Sequence, residues 1–261
     1  MLQPVKEALG QFLGRFFATV VPTTNPLQPY VLRPLAKAIV WAPARMIDAA
    51  EEMLALWIRA NLDGGPTSPP DLPVLIVAIG KDLVPTGRDY TRQVADRQMV
   101  LIPGDEKERL FGLRTAAGDL RAQLVIIATD EPSAHSLAAQ FLLFLDATDN
   151  RRFEATYRFA GIDTKWPVQI ESPDAPAMSI QTESKNLTIL AIDMTLHMTV
   201  PIFDAPAIGQ PNDGKGVPGT EDPSGYPLVQ TIAVEREELG ATGGAAAMSN
   251  AALHSSAKAG S

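Results

Sequence analysis

The feature that most constrains this chain is the stretch TILAIDMTLHMTVPIF, residues 188–203. Leu190, Ile192, Met194, Leu196, Met198, Val200 and Ile202 fall on one side of an extended chain, and Asp193, Thr195, His197 and Thr199 on the other. Sixteen residues at strand rise cover ~50 Å, against a usual strand of ~5 to 6 residues. The apolar side demands a covered sheet. The length predicts a strand that projects past its own domain and pairs with, or lies across, a neighbouring subunit, as in β-augmentation. Its polar side suits a wet surface such as a lumen.

The remaining periodicities surround that strand with an α+β fold. Val5, Leu9, Phe12, Phe16 and Val20 recur at helical spacing, so residues 4–20 read as an amphipathic helix that needs a partner. A second helical stretch runs to Trp41, with Pro43 as its breaker, and a third spans residues 44–61. These make a helical region over 1–62, closed by the Gly/Pro-rich linker 63–73. A core over 74–206 follows. VLIVAI (74–79) reads as a strand buried on both faces, RQMVLI and LRAQLVIIA as two more, and TDEPSAHSLAAQFLLFLDA as a helix capped by Thr129 or Asp130. Phe153, Ala155, Tyr157 and Phe159 alternate with Arg152, Glu154, Thr156 and Arg158, WPVQI repeats the alternation, and a short strand near Met178 precedes the long one. Consecutive strands with one packed helix predict a mainly antiparallel sheet. Residues 207–261 read as an extended Gly/Pro/Ala-rich arm in which only LVQTIAVE, 228–235, has strand character.

No residue cluster enforces a chemistry. The formal net charge of −8 opposes a protein that grips phosphates, and the absence of cysteine removes disulfide and thiolate chemistry. No signal peptide or membrane span is expected from the broken apolar runs near the N-terminus. His135 lies in SAHS with neither serine framed by GxSxG, so it reads as a helix-surface residue. His197 and Asp193 are four residues apart on one strand face, ~13 Å, too far to bond. NDGKGVPG lacks the spacing and context of a phosphate loop. Asp105, Glu106 and Glu108 with Lys107 and Arg109 read as a solvated helix or turn. No catalytic residue, cofactor or metal is expected. Trp57, Trp166, Met194, Leu196, Met198 and Phe203 are the expected core or interface anchors. Asp193, Thr195, His197 and Thr199 are the expected lumen-facing or subunit-facing polar set.

DEPSAHSLAAQFLLFL followed by NLTILAIDMTLHMTVPIF resembles the packed helix and late long strand of ring-forming proteins from long-tailed, contractile bacteriophages: tail terminators and head-to-tail neck proteins. The resemblance covers about a third of the chain, from Leu120 to Pro206. It implies a structural, non-enzymatic virion protein, assembled in the host cytoplasm into a hexameric ring. Its partners would be further copies of itself and tail tube, sheath or neck proteins, with DNA passing through unbound and no membrane. A baseplate component is the nearest alternative, and a soluble enzyme or binding module the alternative of another class.

Overall fold

Val5, Leu9, Phe12 and Phe16 line the buried side of α1 (Gln3–Thr19) in a computed structural model of the chain. The structure describes residues 2–42, 72–86, 93–181, 186–206, 232–234 and 251–253. The expected third helix (44–61), Trp57, most of the linker and most of the C-terminal arm lie outside the described residues. After α1 come two short helices, α2 (Leu27–Val31) and α3 (Leu35–Ala38). Pro34 separates them, lacking the N–H that a continuous helix would need.

The sequence places helix up to Trp41, but Ile39–Trp41 forms strand β1, pairing in parallel with β2 (Val74–Ile79). Two β-branched residues followed by Trp suit a pleated surface better than a helix. Next come β3 (Val84–Pro85), β4 (Val94–Leu101), β5 (Leu110–Ala128) and α4 (Glu131–Asp146). The chain then runs through β6 (Arg152–Phe159), β7 (Ile162–Ile170), β8 (Ala177–Ile180) and β9 (Thr188–Asp204). The fold is α+β, with strand order β1-β2-β5-β9-β7-β6; β3 and β4 also pair with β5, and β8 with β9.

At 17 residues β9 runs one residue past the sixteen its alternation predicts, but β5 reaches 19, starting ten residues before the expected Leu120. The added part, LFGLRTAAGD, hides its strand character behind two glycines and an Ala pair. One of those glycines admits β3. A Cβ on Gly118 would collide with the Leu83 side chain and come within 3.2 Å of the Val84 carbonyl oxygen. The β6–β7 hairpin turns through Ala160 and Gly161, both at positive φ, between the paired Phe159 and Ile162. Two central residues at positive φ match the right-handed twist of the strands they join.

Two compact units divide the chain: Met1–Gln98 with Leu113–Phe203, and Met99–Gly112 with Asp204–Ser261. In the first, α1 and α4 share one apolar core with Leu120, Leu124 and Ile126 of β5 and with Leu190, Leu196 and Met198 of β9. The second contains β10 (Ile232–Val234), paired antiparallel with β11 (Ala251–Leu253). The low-complexity end of the chain gives no sequence sign of β11. No helix among the described residues is long and apolar enough to cross a membrane.

Aromatic contacts fasten the helices to the sheet. The Phe12 ring stacks on Phe153 of β6 at 5.2 Å and meets Phe141 and Phe144 of α4 at 6.3 and 5.5 Å. Truncating this fully buried ring removes packing on two elements at once. We expect Phe12→Ala to lower the unfolding free energy by ~3 to 5 kcal/mol in a urea titration. A loss under ~1 kcal/mol would show that this cluster does not hold α1 in place.

Candidate functional site

The second face of the sheet changes character along β5 and β9. Val125, Ile127, Ile189 and Ala191 on that face join Val74, Ile76 and Ala78 of β2 in a second apolar cluster. Continuing two residues at a time along β5 and β9, the same face carries Asp119, Arg121, Asp193, Thr195 and His197. His197 Nδ1 lies 2.5 Å from Asp119 Oδ1, and Arg121 Nη2 lies 3.0 Å from Asp193 Oδ2. Both pairs cross from β5 to β9. Gln169 of β7 sits opposite His197 and Arg152 of β6 opposite Gln169, so polar side chains continue across four strands.

Strand pairing settles what spacing along one strand could not. Asp193 is indeed not the partner of His197; the carboxylate comes from β5, 78 residues earlier in the chain. Asp193, Thr195 and His197 form the polar stretch, whereas Thr199, expected on it, is buried at 4% exposure. The Thr199 Oγ1 atom has no hydrogen-bond partner among the described residues.

Of the expected anchors, Met194, Leu196 and Met198 belong to the main core, at 4%, 0% and 1% exposure. They hold the sheet to its helices. Trp166 and Phe203 are half-buried and share a corner: Phe203 stacks on Phe159 at 5.0 Å and meets Trp166 edge-on at 6.4 Å. The indole N–H of Trp166 donates to Thr164 Oγ1 at 3.2 Å. Nearby in sequence, burial pushes the pKa of Tyr157 up to about 12, and its hydroxyl has no partner among the described residues.

β6 ends the sheet. Among the described residues no strand pairs with its outer side, which leaves a backbone edge open. Beside it runs a cleft of about 760 Å³ lined by Gln11 and Arg15 of α1, Arg152, Glu154 and Thr156 of β6, and Lys165 of β7, among others. A second cleft, about 790 Å³, lies between Leu142, Leu143 and Asp146 of α4 and the Pro173–Pro176 segment. Neither cleft is lined by a histidine.

The serines flanking His135 are tied to the fold. Asp130, one of the two expected caps, accepts from the Ser133 N–H at 2.9 Å. Ser133 and Ser136 hydroxyls lie 2.6 and 2.5 Å from those of Thr24 and Thr23, while Gln140 exchanges hydrogen bonds with the Val21 backbone. His135 faces Glu131 at 3.5 Å on the exposed side of α4. The NDGKGVPG stretch lies outside the described residues.

No family model matches this chain, and no curated protein matches it. Among solved structures, one whose description gives no activity is similar at 12% identity and a TM-score of 0.30, over 76% of this chain and 95% of that one. A likeness of that size carries no argument about fold or function.

In the second unit the charged run 105–109 is a turn, held by its first and last residues. The Asp105 carboxylate accepts from the Arg109 backbone N–H at 2.8 Å and from Arg109 Nε and Nη2 at 3.0 and 2.9 Å. These side-chain hydrogen bonds, foremost, hold the Asp105 pKa below its ordinary value, against the upward push of burial. A carboxylate with a depressed folded pKa adds stability that is present above its unfolded pKa, ~3.9, and is lost as pH falls through the folded value. Asp105→Asn should therefore lose less stability than the parent chain when urea unfolding is compared at about pH 5 and pH 3. Equal losses in both proteins would show that this pair contributes no pH dependence.

Proposed function

We propose that this chain is a structural virion protein of a tailed bacteriophage, forming a hexameric ring at the tail end or neck that terminates the tail tube and connects it to the head. The observation that carries this reading is a sheet with two very long central strands that ends, among the described residues, at an unpaired edge on β6, with a half-buried aromatic corner where Phe203 of β9 meets Phe159 and Trp166 of the β6–β7 hairpin. An open edge invites a strand from another chain. Repeating the same heterologous contact closes a ring when the rotation closes. Trp166 and Phe203 supply the large, partly desolvated rings that typically anchor such contacts.

The polar stretch on β5 and β9 supports the lumen assignment. Its one arginine, Arg121, is matched by Asp193, and its histidine by Asp119, so it presents no cationic stripe to passing DNA. The ring would assemble in the host cytoplasm and reside in the virion, against tail tube, sheath or neck proteins. A baseplate position in the same particle uses the same surfaces and differs only in location.

The His197–Asp119 pair favours a second reading, an enzyme with His197 as an oriented base. Catalysis needs a place for substrate beside the base, and the two clefts described above are lined by neither His197 nor Asp119. The pair reads better as a cross-strand link between the two longest strands.

Negative-stain electron microscopy of the full chain tests the proposal. Closed rings of one diameter are expected, and Trp166→Ala with Phe203→Ala should lower the ring fraction at fixed concentration at least ~10-fold. Particles without closed symmetry at every concentration would contradict it.

A further inference from the structure

The cleft beside β6 carries three cations, Arg15, Arg152 and Lys165, against the single carboxylate of Glu154. Lys165 and Glu154 neutralise each other at 3.4 Å. Arg15 lies over the Phe12 ring at 6.0 Å, and neither it nor Arg152 has an ion-pair partner among the described residues. β6, eight residues long and unpaired on its outer edge among the described residues, lines that cleft through Arg152, Phe153, Glu154 and Thr156. An edge of this kind binds an extended chain through main-chain hydrogen bonds, and the two arginines of the cleft, Arg15 of α1 and Arg152 of β6, suit carboxylates beside such a strand.

The sequence holds a segment of that chemistry. Residues 228–238 read LVQTIAVEREE: an apolar, β-branched run followed at once by Glu235, Glu237 and Glu238 with one arginine. Within it β10 is already extended. β11 occupies one of its edges, and its other edge is unpaired among the described residues. A strand has two edges, so β10 can keep β11 and still receive another strand.

We propose that residues 228–238 of one copy pair with the open edge of β6 in a second copy, their carboxylates meeting Arg15 and Arg152. This rests on the ring reading and specifies its contact: a donated arm strand linking each copy to the next. The alternative occupants of the edge, the chain's own arm or a different protein, are outcomes of the test.

Because the chain has no cysteine, disulfides report only on introduced positions. Thr231→Cys and Thr156→Cys are made in separate full-length chains, mixed and oxidised, with Glu154→Cys and Arg158→Cys scanning the register. The mixture should give a disulfide-linked pair of unlike chains well above either variant alone. The double variant should give a ladder of covalent multimers, and adding Arg152→Glu should cut the yield at least ~5-fold.

Disulfides closing within single chains of the double variant, without mixed pairs, would overturn the exchange between copies. No disulfide in any register, with rings still visible by microscopy, would overturn the arm contact and leave the ring reading standing; the edge would then belong to another protein. Mixed pairs without closed rings would uphold the arm contact and sink the ring reading.

Discussion

The side-by-side pairing of β5 and β9 is the constraint on which the rest of this structure depends. These two strands lie at the centre of the sheet, and nearly every other element attaches to one of them: β2, β3 and β4 to β5, and β7 and β8 to β9. Their inward side chains meet α1 and α4 in one apolar core. Burial of that core is the main favourable term, at ~25 cal/mol per Å² of apolar surface. Its aromatic contacts fix where the helices sit. Of the cross-strand pairs His197–Asp119 and Arg121–Asp193, the second adds little energy because it is largely exposed. Both oppose slippage, because a one-residue shift would turn every side chain to the other face.

That central pair also gives the sheet two kinds of second face. Where Val125, Ile127, Ile189 and Ala191 lie, the face is buried; where Asp119, Arg121, Asp193 and His197 lie, it is polar. The same two strands thus serve as core at one end and as a polar surface further along. A sheet built this way can present a wet wall without losing its hydrophobic anchor. At its β6 end, where no strand pairs with the outer edge among the described residues, the partly exposed rings of Phe159, Trp166 and Phe203 form an aromatic corner.

Much of this architecture was legible because the elements concerned carry strong periodicity. The stripes of α1 and α4, the buried run of β2, and the alternations of β6 and β9 each mark one element type. β1 was misread as helix because a three-residue strand is too short to show a period, and its partner β2 lies beyond residues 43–71. The first ten residues of β5 were missed because Gly112, Gly118 and the Ala pair between them interrupt the pattern, and at Gly118 the close approach of Leu83 and Val84 requires the glycine. Site geometry was less legible than fold. Asp119 and His197 meet only through pairing between distant strands, and no spacing rule within either one reveals it. Thr199 illustrates the opposite failure: alternation put it on the polar side, but that side is no longer wet at its position.

The most direct test of the account is amide hydrogen exchange followed by mass spectrometry at increasing protein concentration. If a central spine ends in an edge that another copy completes, residues 120–127 and 189–198 should exchange slowest at every concentration. Residues 152–159 should exchange faster when dilute and slow as copies associate. Exchange of 152–159 that ignores concentration from monomer upward, or a β5–β9 pair no better protected than that edge, would contradict it.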